Sequence, residues 1–330
     1  MLSRHADSAY WLGRYMERAE ATARMIDVHY HFGLESRYVG EVLRWSSILA
    51  ISGNDDEFHD RYSELNERNI LYFFAFDPKN FSSVSSCLNS ARENARAIRD
   101  QISSEMWECA NRVFLDYKSW NVDKVLKRSP NAFFQMVKES SHLFQGIADR
   151  TLMTGETKDF FQCGRFLERA DQTARILDVK YHDLLPRFSA ETVAIDETGF
   201  RDPLSVGGPI DTHGWAAVLK SVGAFEAFRK TSTRAFTPEA VAQFLILNPD
   251  FPASVRYSMR QVDKNIRRIS GNNSVAPTNR AEREIGRLYN DLNYMNGEDI
   301  VAQGLHEFLE GLQERCNRIG DAIYSTYLSF

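Results

Sequence analysis

The amino-acid sequence predicts an all-α protein, namely an internally duplicated multi-helix bundle with a pseudo-twofold repeat. Apolar residues recur at positions i, i+3, i+4 and i+7 along nearly every segment, which is the spacing of one buried helix face. Long runs of alternating apolar and polar residues, which are typical of half-buried strands, are absent from the sequence. A third observation, one helical segment that occurs twice, indicates the duplication.

The duplicated segment covers residues 13–31 and 164–182. The first copy reads GRYMERAEATARMIDVHYH and the second reads GRFLERADQTARILDVKYH, with 12 of 19 positions identical. Five further positions exchange residues of similar chemistry, such as an acid for an acid. Agreement of this extent does not arise by chance, so we interpret the two segments as copies of one helix.

Three later landmarks repeat in the same order, which extends the duplication beyond this helix. They are Trp45 with Trp215, the proline corner at 76–84 with that at 247–255, and the segment at 90–100 with that at 261–271. In each corner a serine, Ser83 or Ser254, follows the proline and predicts the N-cap of a new helix. We therefore predict a single duplicated helical unit over 1–330, with repeat 1 at 1–152 and repeat 2 at 153–330.

One face of the repeated helix is apolar in both copies and predicts a core position. Its members are Leu12, Tyr15, Met16, Ala19, Ala23, Ile26 and Tyr30 in the first copy and Phe166, Leu167, Ala170, Ala174, Leu177 and Tyr181 in the second. Trp45 and Trp215, which stand at equivalent places in the two repeats, are expected to be large buried anchors.

The opposite face keeps its charged residues in both copies. They are Arg14, Glu17 and Arg18 in repeat 1 and Arg165, Glu168 and Arg169 in repeat 2. One interpretation is a ladder of ion pairs within each helix, such as Arg14 with Glu17 and Arg165 with Glu168 at i+3, and Glu20 with Arg24 and Asp171 with Arg175 at i+4. Exposed pairs contribute only about 0.3–0.5 kcal/mol each, so partial burial or a ligand contact is needed to explain why the pattern is kept.

The other interpretation is a binding site. The two Glu-Arg units would face each other across the pseudo-twofold axis and be joined by Arg92, Glu93 and Arg96 of a neighbouring helix. Such a cluster of guanidinium groups could hold a carboxylate, a phosphate or a peptide terminus through paired hydrogen bonds. The sequence leaves both interpretations open.

Several classes of function find no support in the sequence. The net charge of -5 and the absence of a basic run argue against nucleic acid or anionic membranes as partners. No stretch approaches eighteen consecutive apolar residues, the N-terminal residues lack a signal-peptide core, and the four cysteines are scattered, so we expect a cytoplasmic protein.

Sequence motifs typical of enzymes and metal sites are missing. There is no phosphate-binding glycine loop, GxSxG, HExxH or CxxC, and Glu139 with His142 forms a single Glu-x-x-His without a second copy. We therefore predict neither a metal nor a cofactor, and no catalytic residue can be named.

The motifs MLSRHADSAYWLGRYMERAEATAR, SARENARAIRDQISSEMWE, FFQCGRFLERADQTARILD and LNPDFPASV together make the chain resemble the bacterial Alpha-E superfamily over nearly its whole length. The resemblance implies an all-helical protein encoded beside, or fused to, circularly permuted ATP-grasp amidoligase-like proteins and transglutaminase-like cysteine proteases. Their implied setting is the synthesis, modification or trimming of a peptide or protein tag. Where the superfamily typically has an asparagine after ERAE and an arginine in the proline corner, this sequence has Ala21 and Ala253.

Three functions follow as hypotheses. The leading one is an accessory protein that binds a peptide, another anionic ligand, or the amidoligase-like and transglutaminase-like partners. The second is an enzyme of the same pathway that uses the Glu-Arg cluster in an amide-forming or metal-dependent reaction. The third is a structural scaffold that assembles as a homo-oligomer.

Overall fold

The computed structural model describes residues 1–35, 45–46, 48–49, 52–128, 130–184, 209–231 and 236–329. Over these residues the chain forms helices and no strand, so the predicted all-α class is confirmed. None of the helices in these ranges is both long enough and apolar enough to cross a membrane.

Fifteen α-helices and a short π-helix lie within the described residues. The first seven are α1 (Ser3–Glu35), α2 (Asp55–His59), α3 (Glu67–Ala75), α4 (Val84–Ala97), α5 (Ser104–Lys118), α6 (Val122–Arg128) and α7 (Pro130–Thr151). The others are α8 (Glu156–Leu184), α9 (Pro209–Ser221), α10 (Phe225–Thr231), α11 (Pro238–Leu247), α12 (Val255–Ser270), α13 (Arg280–Tyr294), α14 (Gly297–Gln303) and α15 (Leu305–Ile323), followed by the π-helix Tyr324–Leu328.

The two longest helices, α1 and α8, form the centre of the bundle and pack against each other. Helix α1 also contacts α4 and α7, while α8 also contacts α12 and α15, and α9 touches both. No residue from His5 to Tyr30, or from Thr157 to Asp178, is fully exposed to solvent. Over these two ranges both helices are therefore buried or partly buried on every side, including the charged face predicted opposite the apolar one.

Most of the predicted core positions are buried. Leu12, Met16 and Ala23 are at most 2% exposed, as are Leu167 and Ala174 in the second copy. Tyr15 and Tyr30 are only half-buried, and the side chain of Tyr181 lies outside the described part of the structure. Trp45 and Trp215 are 0% and 1% exposed, which confirms that they are buried anchors.

The two proline corners also begin helices as predicted. The Ser83 hydroxyl accepts a hydrogen bond from the backbone N–H of Ser86 at 3.1 Å, and α4 begins at the next residue. The Ser254 hydroxyl accepts one from the N–H of Tyr257 at 3.1 Å, and α12 begins in the same way. Each serine satisfies a helix N–H that has no partner inside the helix.

Glycines allow α1 and α8 to come unusually close. A Cβ atom placed on Gly13 would lie 2.2 Å from the carbonyl oxygen of Phe161, and one on Gly164 would lie 2.0 Å from the carbonyl oxygen of Tyr10. Real Cβ atoms do not approach backbone atoms so closely. Only glycine fits at these two positions, and the charged residues of α1 and α8 follow immediately along both helices.

Candidate functional site

The two Glu-Arg motifs meet one turn beyond the glycine crossing, in the interface between α1 and α8. Glu168 of α8 is 0% exposed. Its carboxylate accepts hydrogen bonds from Arg14 Nε at 2.7 Å, from Arg18 Nε at 2.6 Å and from Arg18 Nη2 at 2.9 Å. Two guanidinium groups of α1 therefore neutralise one buried carboxylate of α8, with Arg18 bound through two parallel hydrogen bonds.

Glu17 of α1 has the reciprocal arrangement. Its carboxylate accepts hydrogen bonds from Arg169 Nε at 2.5 Å and Nη2 at 2.8 Å, and Arg165 Nε lies 3.8 Å from Oε2. Gln145 of α7 donates a further hydrogen bond to Glu17 at 3.0 Å and accepts one from Arg165 Nη2 at 2.7 Å. We call Arg14, Glu17, Arg18, Arg165, Glu168 and Arg169 the ER network.

The ion pairs predicted within each helix are only partly present. The i+3 pairs Arg14 with Glu17 and Arg165 with Glu168 were wrong, because both glutamates bind arginines of the opposite helix instead. A carboxylate that faces the other helix can meet a planar guanidinium there through two hydrogen bonds. The i+4 pairs are confirmed: Arg24 binds Glu20 through Nε at 2.8 Å, and Arg175 binds Asp171 at 2.9 Å.

Arg92, Glu93 and Arg96 lie outside the ER network, and this part of the predicted cluster needs correction. Glu93 pairs with Arg92 at 2.7 Å and with Arg96 at 2.5 Å on the surface of α4. Arg92 also donates to Asn111 at 2.8 Å and lies over the Trp107 ring. This group faces α5 because α4 turns its apolar side toward α1.

The surroundings of Glu168, and of Glu20 beside the network, keep these two carboxylates ionised. Burial raises the pKa of Glu168, but the positive charges and hydrogen bonds of Arg18 and Arg14 lower it by a larger amount, so the pKa lies well below its usual range. Glu20 follows the same logic: burial raises its pKa, whereas hydrogen bonds with His142 and Arg24 bring it down to about 2. Both groups are therefore negatively charged at neutral pH.

The lowered pKa of Glu20 predicts a loss of stability in acid. A carboxyl group whose pKa falls on folding stabilises the protein fully above its unfolded pKa, near 4.5, and this contribution is lost as the pH drops toward 2. We expect Glu20→Gln to be less stable than the natural chain at pH 7, and the difference to shrink as urea unfolding is repeated down to about pH 2.5. The exposed Glu105→Gln variant is the control, and a difference that does not change with pH would contradict this assignment.

The four cysteines do not form an activated thiol. Cys87, Cys109, Cys163 and Cys316 are all buried and unbridged. Burial raises the pKa of the Cys87 thiol to about 12 and that of Cys163 well above its ordinary value, so the reactive thiolate is suppressed. Within the described ranges, no group of three or more His, Cys, Asp or Glu side chains could hold a metal ion.

A cleft of about 470 Å³ opens beside one end of the ER network. Its walls come from α1, α7 and α8, from the turn between α9 and α10, and from the corner before α12. Glu17 and Arg169 reach it from the network, and Ala21 and Ala253 also line it. The cleft falls in the 300–1,000 Å³ range of small-ligand sites.

The sequence did not assign several side chains to this region, including His142, which was considered only as part of a Glu-x-x-His. His142 lines the cleft, where its Nε2 lies 3.3 Å from Arg24 Nη2 and 3.6 Å from Glu20 Oε1. Gln145 carries no signal in the sequence, because an isolated glutamine on an amphipathic helix is normally a surface residue. The glycine crossing could have been predicted, since Gly13 and Gly164 are identical in both copies and begin both repeated segments.

Comparison with known proteins gives one match. A family model named Alpha-E, described as a predicted alpha-helical domain with a conserved ER motif, matches residues 1–328. No curated protein and no solved structure matches the chain. Glu17-Arg18 and Glu168-Arg169 are the two ER dipeptides that form the buried network described above. Because the family model covers nearly every residue, the chain belongs to the Alpha-E family.

Proposed function

We propose that the chain is an accessory protein that binds a peptide substrate or a protein partner in a bacterial amidoligase system, and that its ER network is internal architecture. The observation that carries this proposal is the pairing of both network glutamates. Glu168 and Glu17 each bind arginines of the opposite helix and are 0% and 3% exposed. A carboxylate held in this way is not available to transfer a proton, so binding fits the molecule better than catalysis by these residues.

We also propose that the two repeats, 1–152 and 153–330, are related by a pseudo-twofold axis that passes between α1 and α8. Reciprocal contacts support the axis: Arg18 binds Glu168 while Arg169 binds Glu17, and Gly13 faces α8 while Gly164 faces α1. The helices flanking the centre correspond as well. Helices α4 and α7 pack on α1, and α12 and α15 pack on α8.

Two further ion pairs support the same pseudo-twofold axis. Asp27 of α1 binds Lys138 of α7 at 2.6 Å, and Asp178 of α8 binds His306 of α15 at 2.7 Å. In the two copies of the repeated helix Asp27 and Asp178 occupy the same position. Under this proposal the ER dipeptides of the buried network are the conserved ER motif in the description of the family, and they hold two similar halves together as one unit.

The proposed partners are a circularly permuted ATP-grasp-like amidoligase and a transglutaminase-like protein, and the proposed compartment is the cytoplasm. The resemblance found in the sequence supports these partners, and the cleft beside the network offers a place for a peptide. We propose no role in binding nucleic acid or membranes, since the charge of -5 favours neither.

Co-elution tests this function. The chain should elute together with a circularly permuted ATP-grasp-like protein from the same genome when both are expressed and separated by size, with and without ATP. Light scattering on the same sample gives the mass of the complex and shows whether the chain alone is an oligomer. Separate elution under all conditions, at concentrations up to about 10 μM, would exclude a partner bound more tightly than that.

A further inference from the structure

We infer that the cleft beside the ER network binds the free amino end of a short peptide. This inference deepens the proposed function and rests on it, because it names the ligand class of a site that the proposal leaves open. The argument uses three features of the cleft: the donors that its arginines leave unused, the acceptors that its carboxylates leave unused, and the balance of charge.

Two arginines present unused hydrogen-bond donors at the cleft. Arg24 directs Nε and Nη2 to Glu20 and, within the described residues, makes no hydrogen bond through Nη1. Arg169 directs Nε and Nη2 to Glu17, and its Nη1 makes only a long contact of 3.4 Å with the carbonyl oxygen of Pro252. Each guanidinium group is held in place by a buried glutamate, so its remaining donor has a fixed direction. Backbone carbonyl oxygens of a peptide are suitable acceptors for both.

Two carboxylates supply acceptors on the same cleft. Glu226, at the start of α10, is exposed at the rim and pairs with no group in the part of the chain that the structure describes. Glu20 is 8% exposed, and Arg24 and His142 approach its Oε1 atom, which leaves Oε2 without a hydrogen bond among the described residues. Carboxylate oxygens accept the three N–H bonds of an ammonium group.

The charge balance decides between an ammonium group and an anion. The lining includes three carboxylates, Glu17, Glu20 and Glu226, and two guanidinium groups, those of Arg24 and Arg169. Arg24 is paired with Glu20 and Arg169 with Glu17, so among the described lining residues Glu226 is a carboxylate without a cationic partner, which disfavours a phosphate or a nucleotide and favours a cationic amino end.

Native mass spectrometry of the full chain with a mixture of random tripeptides tests the inference. Tripeptides with free amino ends should be retained, and the same mixture after N-acetylation should be retained at least about tenfold less, because acetylation removes the ammonium charge. Glu226→Gln should weaken binding of the selected tripeptide about tenfold, which corresponds to about 1.4 kcal/mol. The exposed Glu105→Gln variant of α5 is the matched control and should bind like the natural chain.

A second variant blocks the cleft without touching its charged groups. Ala21→Leu places a larger side chain into the lining of the cleft and should abolish tripeptide binding, whereas Ala132→Leu on the exposed face of α7 should not. Equal retention of free and acetylated tripeptides, retention of none, or binding of inorganic phosphate or ATP that Ala21→Leu abolishes would each overturn the inference. Co-elution of Ala21→Leu with the ATP-grasp-like protein would show that the proposed function stands even where the peptide site fails.

Discussion

Replacing Gly13 with alanine is expected to lower the free energy of unfolding by about 3 kcal/mol, at the upper end of the usual cost of overpacking. The new Cβ atom would lie 2.2 Å from the carbonyl oxygen of Phe161 and 2.9 Å from the backbone nitrogen of Arg165. These are backbone atoms of α8, so no side chain can rotate away, and α1 and α8 must separate. That separation would also lengthen the hydrogen bonds of the ER network one turn away. Urea unfolding followed by circular dichroism measures the loss.

The chain supplies a matched control for this substitution. Gly146 is a helical, exposed glycine in α7, and a Cβ atom there would meet nothing within 4 Å. Gly146→Ala should therefore stabilise the protein by up to about 1 kcal/mol, the usual gain in helix propensity. Gly164→Ala should resemble Gly13→Ala, and the double variant should cost less than the sum, because both methyl groups push the same two helices apart. If Gly13→Ala were as stable as Gly146→Ala, the close crossing would be refuted.

Replacing Glu168 with glutamine is expected to cost about 3–5 kcal/mol, the range found when one partner of a buried ion pair is removed. The substitution keeps the size of the side chain but leaves the guanidinium groups of Arg14 and Arg18 facing a neutral amide. Their side chains are 15% and 19% exposed, so water cannot replace the lost carboxylate fully. The free energy of unfolding, measured at neutral pH where the carboxyl group is ionised, gives the cost.

Glu93 is the control for this prediction because it also pairs with two arginines, but on the surface. Its side chain is 38% exposed and lies 2.7 Å from Arg92 and 2.5 Å from Arg96. Glu93→Gln should change stability by less than about 1 kcal/mol, as exposed ion pairs usually do. The triple variant Glu168→Leu, Arg14→Met and Arg18→Met should recover much of the stability lost in Glu168→Gln, because it leaves no unpaired buried charge. Equal losses in the free energy of unfolding for Glu168→Gln and Glu93→Gln would show that burial of the ER network does not strengthen its contribution to stability.

Features determined by local sequence could be predicted well. The serine caps at Ser83 and Ser254 depend on residues only three positions apart, and the apolar spacing of the repeated helix depends on one helical turn. Trp45 and Trp215 stand at equivalent places in the two repeats and carry large, mostly apolar side chains, which are highly buried on average. These predictions needed no knowledge of which helices pack together.

The partners of the charged residues could not be predicted in the same way. Rules for ion pairs at i+3 and i+4 cover neighbours within one helix, whereas Arg18 and Glu168 are 150 positions apart. Choosing the correct partner required knowing that α1 and α8 face each other at their glycines. Arg92 and Arg96 illustrate the same limit. The sequence correctly placed them on a helix next to α1, but it did not reveal that their face of α4 turns toward α5 and away from the ER network.

The long sequence separation within the ER network has a consequence for how the chain folds during synthesis. Arg14 and Arg18 bind Glu168, and Arg169 binds Glu17. The two residues of each pair are 150 to 154 positions apart in the sequence. While the ribosome is still producing the first half, Arg14, Glu17 and Arg18 of α1 therefore lack the α8 partners that they have in the interior of the folded protein. Contacts between such distant residues close large loops and form late. The first half must wait for α8, so final folding is an event of the whole chain rather than of its halves in turn.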